Sequence, residues 1–166
     1  MTQIIFLTSD FYIDYSHYTE IEIKNYRPYI MFVVCYNNLD FAIPFRSNIN
    51  HNHYYKTSDS IKAGIDYSKS VIILDNKYID SINKPVIRKD EAKKVIGKGG
   101  IIKKGFIEYI DKYIISIDNL VNGNGSPKDY YLCKYSTLQN FHTQLQIKHI
   151  YTEVMDQNKL VFKKKP

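Results

Sequence analysis

Residues 29–36 read YIMFVVCY, Asn37-Asn38 follows, and residues 39–45 read LDFAIPF. Two runs rich in β-branched and aromatic residues, separated by a two-residue asparagine turn signal, specify a β-hairpin. No other segment restricts the fold as much, because the pair forms the natural centre of a sheet. Pro44 cannot donate to a ladder and predicts that the return strand ends or bulges there.

The flanking segments fall into place around this hairpin. Residues 3–7 are a short apolar run and predict a strand. Thr8, Ser9 and Asp10 supply capping side chains ahead of a helix over 11–18. Residues 20–27 are polar and read as a loop or a ragged strand. Residues 46–58 (RSNINHNHYYKTS) read as a long polar loop, a kind of segment that often carries function. SVIIL at 70–74 predicts a buried strand, and 84–87 a further short one. A helix is expected over 90–96, stopped by Gly97. Apolar residues at 106, 109, 110, 113, 114, 117, 120 and 121 recur with helical period over 101–121. NGNGSP at 122–127 is a loop. A second long helix is expected over 130–147, with Leu132, Cys133, Tyr135, Leu138, Phe141 and Leu145 inward, and KKKP closes the chain as a frayed tail.

Strands come first and long helices last, so the fold class is α+β with an antiparallel sheet. At 166 residues and 44% hydrophobic content, the chain is expected to form a single domain over 1–166. Cys35 and Cys133 lack metal-ligand spacing, and Cys35 in its apolar run reads as buried. The start of the chain has no signal-peptide character, and no apolar run approaches the roughly 20 residues of a membrane span. The expected compartment is the cytoplasm, with no membrane partner.

A net charge of +6 favours phosphate-bearing partners through counterion release. Sixteen Tyr and no Trp offer flat faces for base stacking and hydroxyls for phosphate. An AT-rich genome would produce the same tyrosine content.

Three segments carry chemistry. In Arg46-Ser47-Asn48-Ile49-Asn50-His51, the guanidinium suits a phosphate, Ser47 adds a hydroxyl, and His51 can move protons near neutral pH. These are the needs of RNA scission by the ribose 2′-hydroxyl, where extra negative charge develops on the phosphorane and no metal is required. The pair His51 and His53 has no carboxylate or cysteine cluster to complete a zinc site, so no metal is expected. In the second segment, Val95-Ile96-Gly97-Lys98-Gly99-Gly100-Ile101, the GKGG core looks like the backbone-clamping loop of a KH domain. A KH fold places strands after its second helix, whereas this chain continues into NGNGSP and another helix. In the third, Gly64-Ile65-Asp66-Tyr67-Ser68-Lys69, Tyr67 and Lys69 can touch RNA and Asp66 can brace the loop with side-chain hydrogen bonds.

AIPFRSNINHNH at 42–53 followed by GIDYSKSVII at 64–73 resembles the toxins of type III toxin–antitoxin pairs. The branch is the CptN-like one, related to ToxN and AbiQ. LTSDFYIDY at 7–15 and NYRPYIMFVV at 25–34 also fit, and the likeness spans roughly residues 4–115. The resemblance implies a twisted antiparallel sheet packed with helices, similar to the Kid and MazF toxins, whose Arg-Pro step Arg27-Pro28 matches. It implies a metal-independent endoribonuclease without cofactors that leaves 2′,3′-cyclic phosphate ends on cellular RNA. It also implies processing of a repeated antitoxin RNA precursor and inhibition by the resulting RNA pseudoknots, in a closed toxin–RNA ring with equal numbers of each. ToxN members carry Thr-Ser-Pro-Lys where Arg46-Ser47-Asn48-Ile49 stands here. Ser47 matches, and the lysine's role passes to Arg46 or His51. The expected catalytic residues are Arg46, Ser47 and His51. Tyr12, Arg27, Asn48, His53, Lys56, Tyr67 and Lys69 are expected to bind RNA. The competing classes are a non-catalytic RNA-binding module using the GKGG loop and a protein-interaction module using the tyrosine-rich surface.

Overall fold

The computed structural model describes residues 3–21, 29–59 and 61–162. Strand β1 (Gln3–Phe6) leads into helix α1 (Ser9–Asp14), and the expected hairpin follows as β2 (Ile30–Tyr36) and β3 (Leu39–Arg46). Asn37 and Asn38 both take positive φ, 49° and 59°, the conformation a tight two-residue hairpin turn requires. Strands β4 (Tyr54–Lys56), β5 (Gly64–Asp66) and β6 (Val71–Ile72) complete a six-stranded antiparallel sheet. Its order is β1-β2-β3-β5-β4, with β6 also paired to β3. Helices α2 (Lys89–Val95), α3 (Gly99–Val121), α4 (Pro127–Lys134) and α5 (Tyr151–Phe162) follow, so the fold is α+β with its helices towards the C-terminal end.

The edge of β3 away from β2 positions the site. Phe45 and Arg46 pair with Ile65 and Gly64, whereas Phe41 and Ala42 pair with Ile72 and Val71. The register slips by three residues between the two halves, which is the length of the 3₁₀ turn Tyr67–Lys69 inserted between β5 and β6. This insertion is a bulge of three extra residues, and bulges re-aim side chains near functional sites. Gly64 is required there: a Cβ would stand 2.1 Å from the Tyr55 carbonyl oxygen across the β4–β5 ladder.

Alternation along β3 sends Phe41, Ile43 and Phe45 to one face of the sheet and Ala42, Pro44 and Arg46 to the other. The first face receives α3. Phe106 packs edge-on to Phe41 with ring centroids 5.1 Å apart, and Ile102, Tyr109, Ile110, Tyr113 and Ile117 continue the buried stripe. On the second face Phe11 of α1 lines a small cavity with Met31, Pro44 and Val71, and Phe11 and Tyr15 belong to the contiguous buried cluster. Among the described residues, no helix is long and apolar enough to cross a membrane.

Several expectations are corrected. Residues 84–87 form no strand. The supposed loop 46–58 contains β4, and Gly64–Asp66 forms β5. Pro44 neither ends nor bulges the return strand; it pairs with Met31, and β3 continues to Arg46. The strand predicted over 70–74 narrows to β6, and helix α1 is shorter than the 11–18 expected. Thr8 stands at its N-cap without a side-chain capping bond. Cys35 is exposed, because its face of β2 is uncovered at that end.

The helix expected over 130–147 begins earlier and stops at Lys134. The Ser126–Asp129 capping box and Pro127 at the first turn start it. Its continuation fails because Ser136 and Thr137 take other partners. Ser136 Oγ accepts from the Leu138 amide and from Tyr109, and Thr137 donates to the carbonyls of Ser68 and Ser70. Helix α5 lies in a stretch for which the sequence reading gives no element, and its inner face carries buried Val154, Met155 and Asn158; the KKKP tail lies outside the described residues. Gly97 does end α2, with φ 73°. Every described element after α3 is helical or a 3₁₀ turn, so the strands that a KH domain needs there are not found among the described residues.

Candidate functional site

The bulged end of the sheet gathers Arg46, His51, Asp66 and Ser68. Arg46 is the last residue of β3 and Asp66 the last of β5, and strand alternation places both on the same face as Pro44. Asn48 takes φ 59°, a conformation asparagine tolerates, and reverses the chain after β3. The Ile49 amide then bonds to the Lys62 carbonyl at 3.0 Å, and the buried Ile49 side chain pins the loop so that His51 turns back over β5.

Asp66 is the hub, and its side chain has no solvent exposure. Its Oδ2 accepts from Arg46 Nη1 at 2.6 Å and lies 3.4 Å from His51 Nε2. Its Oδ1 accepts from the Ser68 hydroxyl at 2.7 Å and the Ser68 amide at 3.0 Å. Burial alone would raise this carboxyl, but the bonds from His51, Ser68 and Arg46 outweigh it and hold the group below the usual carboxylate range. Asp66 is therefore a buried anion at neutral pH.

His51 Nδ1 accepts from the His53 amide at 3.2 Å. A neutral ring in this arrangement carries its proton on Nε2, facing Asp66 and Ser68. Ser68 Oγ also lies 3.2 Å from that same Nε2. A serine-nucleophile relay needs the serine and the carboxylate on opposite ring nitrogens. Here both share one nitrogen and the Ser68 proton points to Asp66, so Ser68 is a brace. The His51 side chain is 34% exposed, enough to meet a ligand.

The other expected residues divide into those brought near and those held elsewhere. His53 stacks on His51 with centroids 5.8 Å apart and leans on Tyr109. Burial, then Lys112 and His51, lowers its pKa, so it stays an uncharged ring at neutral pH. Tyr12 and Lys69 line a small cavity with Arg46, Glu20 and Tyr29. Burial pushes the Tyr12 phenol up to about 12, so it remains protonated. The Lys69 ammonium is bonded to the Glu20 carboxylate and donates to the Tyr135 carbonyl, which makes it a brace between elements.

Ser47 and Asn48 are exposed on the turn after β3. Lys56 is exposed and pairs with Asp59 at 3.3 Å. Tyr67, expected on the ligand face, is buried: its hydroxyl donates to the Ile102 carbonyl at 3.3 Å, and its ring covers Gly105 of α3. Arg27 and the Arg27-Pro28 step lie outside the described residues.

Sequence reasoning assigned Asp66 only to bracing its loop and gave Ser68 no role. The Asp-x-Ser spacing was the available signal, since a carboxylate commonly accepts the amide and hydroxyl two residues on. Among the described residues, no group of three or more His, Cys, Asp or Glu side chains is arranged to hold a metal ion. No family model matches this chain, nor does any curated protein or solved structure.

Proposed function

We propose that this protein is an endoribonuclease toxin of the type III kind, a CptN-like relative of ToxN and AbiQ, cutting RNA at the Arg46–Asp66–His51 cluster. The observation that carries the reading is one buried carboxylate oxygen, Asp66 Oδ2, holding both a guanidinium and a partly exposed imidazole. That arrangement suits attack by a ribose 2′-hydroxyl on the adjacent phosphate. The 2′-hydroxyl displaces the His53 amide from His51 Nδ1, which takes its proton as the 2′-oxygen bonds to phosphorus. Arg46 offsets the charge that builds on the phosphorane. The bond from phosphorus to the 5′-oxygen breaks, that oxygen takes a proton from solvent, and a 2′,3′-cyclic phosphate remains. Asp66 stabilises the imidazolium that forms, and the substrate supplies its own nucleophile, so the chemistry calls for no metal. Ser47, on the exposed turn beside Arg46, orients the phosphate.

The resemblance adds the biological setting. The sheet is read as the twisted Kid and MazF type. The substrates are cellular RNAs and a repeated antitoxin precursor. Its pseudoknot products bind back in a closed ring of protein and RNA, within the cytoplasm. The test is incubation with RNA and with the same sequence carrying 2′-O-methyl riboses, both in chelator. Cutting of the unmodified RNA alone, with cyclic-phosphate ends, is expected. Equal cutting of both would remove the 2′-hydroxyl mechanism.

A further inference from the structure

The last turn of α4 and its C-cap residue present Tyr131 and Tyr135 four residues apart, hence on one face. Their rings are within 9° of parallel, with centroids 6.0 Å apart. Lys134 Nζ stands over both, 6.0 Å from the Tyr131 ring and 5.3 Å from the Tyr135 ring. The rings are 47% and 50% exposed, while their neighbours Tyr130 and Cys133 are buried and anchor the helix. The pair is therefore a flat aromatic surface on a firm support, with a cation beside it. Asp129, the acidic residue of α4, is held by Ser126 and Ser116 at the other end of the helix.

This surface is tied to the bulge that carries Ser68. Lys69 donates to the Tyr135 carbonyl at 2.9 Å and lines the same cavity as Arg46 and Tyr12. Thr137, two residues beyond Tyr135, donates to the Ser68 carbonyl at 3.2 Å.

We propose that Tyr131 and Tyr135 form a stacking platform for the bases of single-stranded RNA running to the Arg46–His51 site, with Lys134 taking a phosphate of that strand. The inference rests on the ribonuclease reading and adds the substrate's form. Unpaired bases offer free faces to aromatic rings, whereas the bases of an A-form duplex are already stacked on one another. The cation over the rings matches an anionic strand, and base–aromatic stacking tolerates any sequence.

The test uses full-length His51→Ala protein, so that the RNA stays intact, with a short 5′-labelled single-stranded RNA read by fluorescence anisotropy. Adding Tyr131→Leu or Tyr135→Leu is expected to weaken binding about fivefold to 150-fold, the range of one lost base stack. Tyr135→Trp should restore it, which a loss of folding would not allow. A duplex of the same length should bind with no dependence on either ring. Leucine variants that bind the single strand as tightly as His51→Ala alone would overturn the platform. Wild-type protein is assayed for cutting in parallel. Cutting that ignores both rings removes the platform and leaves the ribonuclease. Ring-dependent binding without wild-type cutting removes the ribonuclease reading and leaves the platform.

Discussion

Arg46 Nη1 lies 2.6 Å from Oδ2 of Asp66, a carboxylate with no exposed surface, although the two residues are 20 apart in sequence. The same oxygen lies 3.4 Å from His51 Nε2. Removing a buried anion of this kind takes away the partner that Arg46 and His51 share, so fold and chemistry are coupled at this point.

Asp66→Ala is accordingly expected to lose about 3–5 kcal/mol of stability in urea unfolding, the usual cost of breaking a buried ion pair. The pH dependence has a definite sign. The folded carboxyl titrates below its unfolded value of about 3.9. Its contribution is full above that pH and is lost as pH falls from there through the folded value. Asp66→Asn should flatten this acid limb. A variant with the acid profile of the wild type would show that Asp66 is not ionised in the folded protein.

Ser68→Ala separates a brace from a nucleophile. It removes the hydroxyl bond to Asp66 Oδ1 but keeps the amide bond. A stability loss of about 1.5–3 kcal/mol is expected, as for a hydrogen bond to a charged group. Cleavage should fall but persist. Complete loss of cleavage in a folded Ser68→Ala protein would instead make Ser68 a reacting group.

Gly64→Ala is expected to destabilise by about 1–3 kcal/mol, because the added methyl meets the Tyr55 backbone as well as the Tyr54 ring, and the backbone cannot move aside. It should also reduce cleavage, since Asp66 is two residues on in the same strand. An unchanged urea midpoint would contradict the close approach of β4 and β5.

His142 gives a second pH dependence, from a histidine that takes no part in the proposed chemistry. Its Nδ1 lies 2.8 Å from the His149 carbonyl and so carries the proton, leaving Nε2 to accept from the Tyr113 hydroxyl at 2.8 Å. Burial holds its pKa below the ordinary histidine value. Stability from the neutral ring is full above about pH 6.5 and is lost as pH falls from there through the folded value. His53, lowered by burial as well, acts with the same sign. Thermal melts of His142→Gln should show a flatter slope below about pH 6.5 than the wild type. An unchanged slope would contradict a buried neutral ring.

What the sequence disclosed follows from how local each signal is. The β2–β3 hairpin and the long helix α3 rest on contiguous patterns, and both are present. The three-residue bulge was not legible, because GIDYSK has turn-like composition and becomes a strand only by pairing with β3 and β4. The early end of α4 was hidden for a related reason. Ser136 and Thr137 find partners on Tyr109 and at residues 68–70, remote in sequence. At the site, Arg46 and His51 were visible because their side chains suggest phosphate chemistry. Asp66 was visible only as a loop brace, and its link to Arg46 depends on two strand ends meeting. The burial of Tyr67 is not legible either, because its chemistry fits RNA while its position faces α3.

The central claim is that Arg46 and His51, set by Asp66, cut RNA. The most direct measurement is single-turnover cleavage of a labelled RNA in EDTA by wild type, Arg46→Ala and His51→Ala, with all three shown to be folded by circular dichroism. The account predicts cyclic-phosphate products from the wild type. It predicts a rate loss of at least about 100-fold in each variant, the scale of a lost general base or charge-stabilising group. Folded variants that cut at the wild-type rate would contradict it.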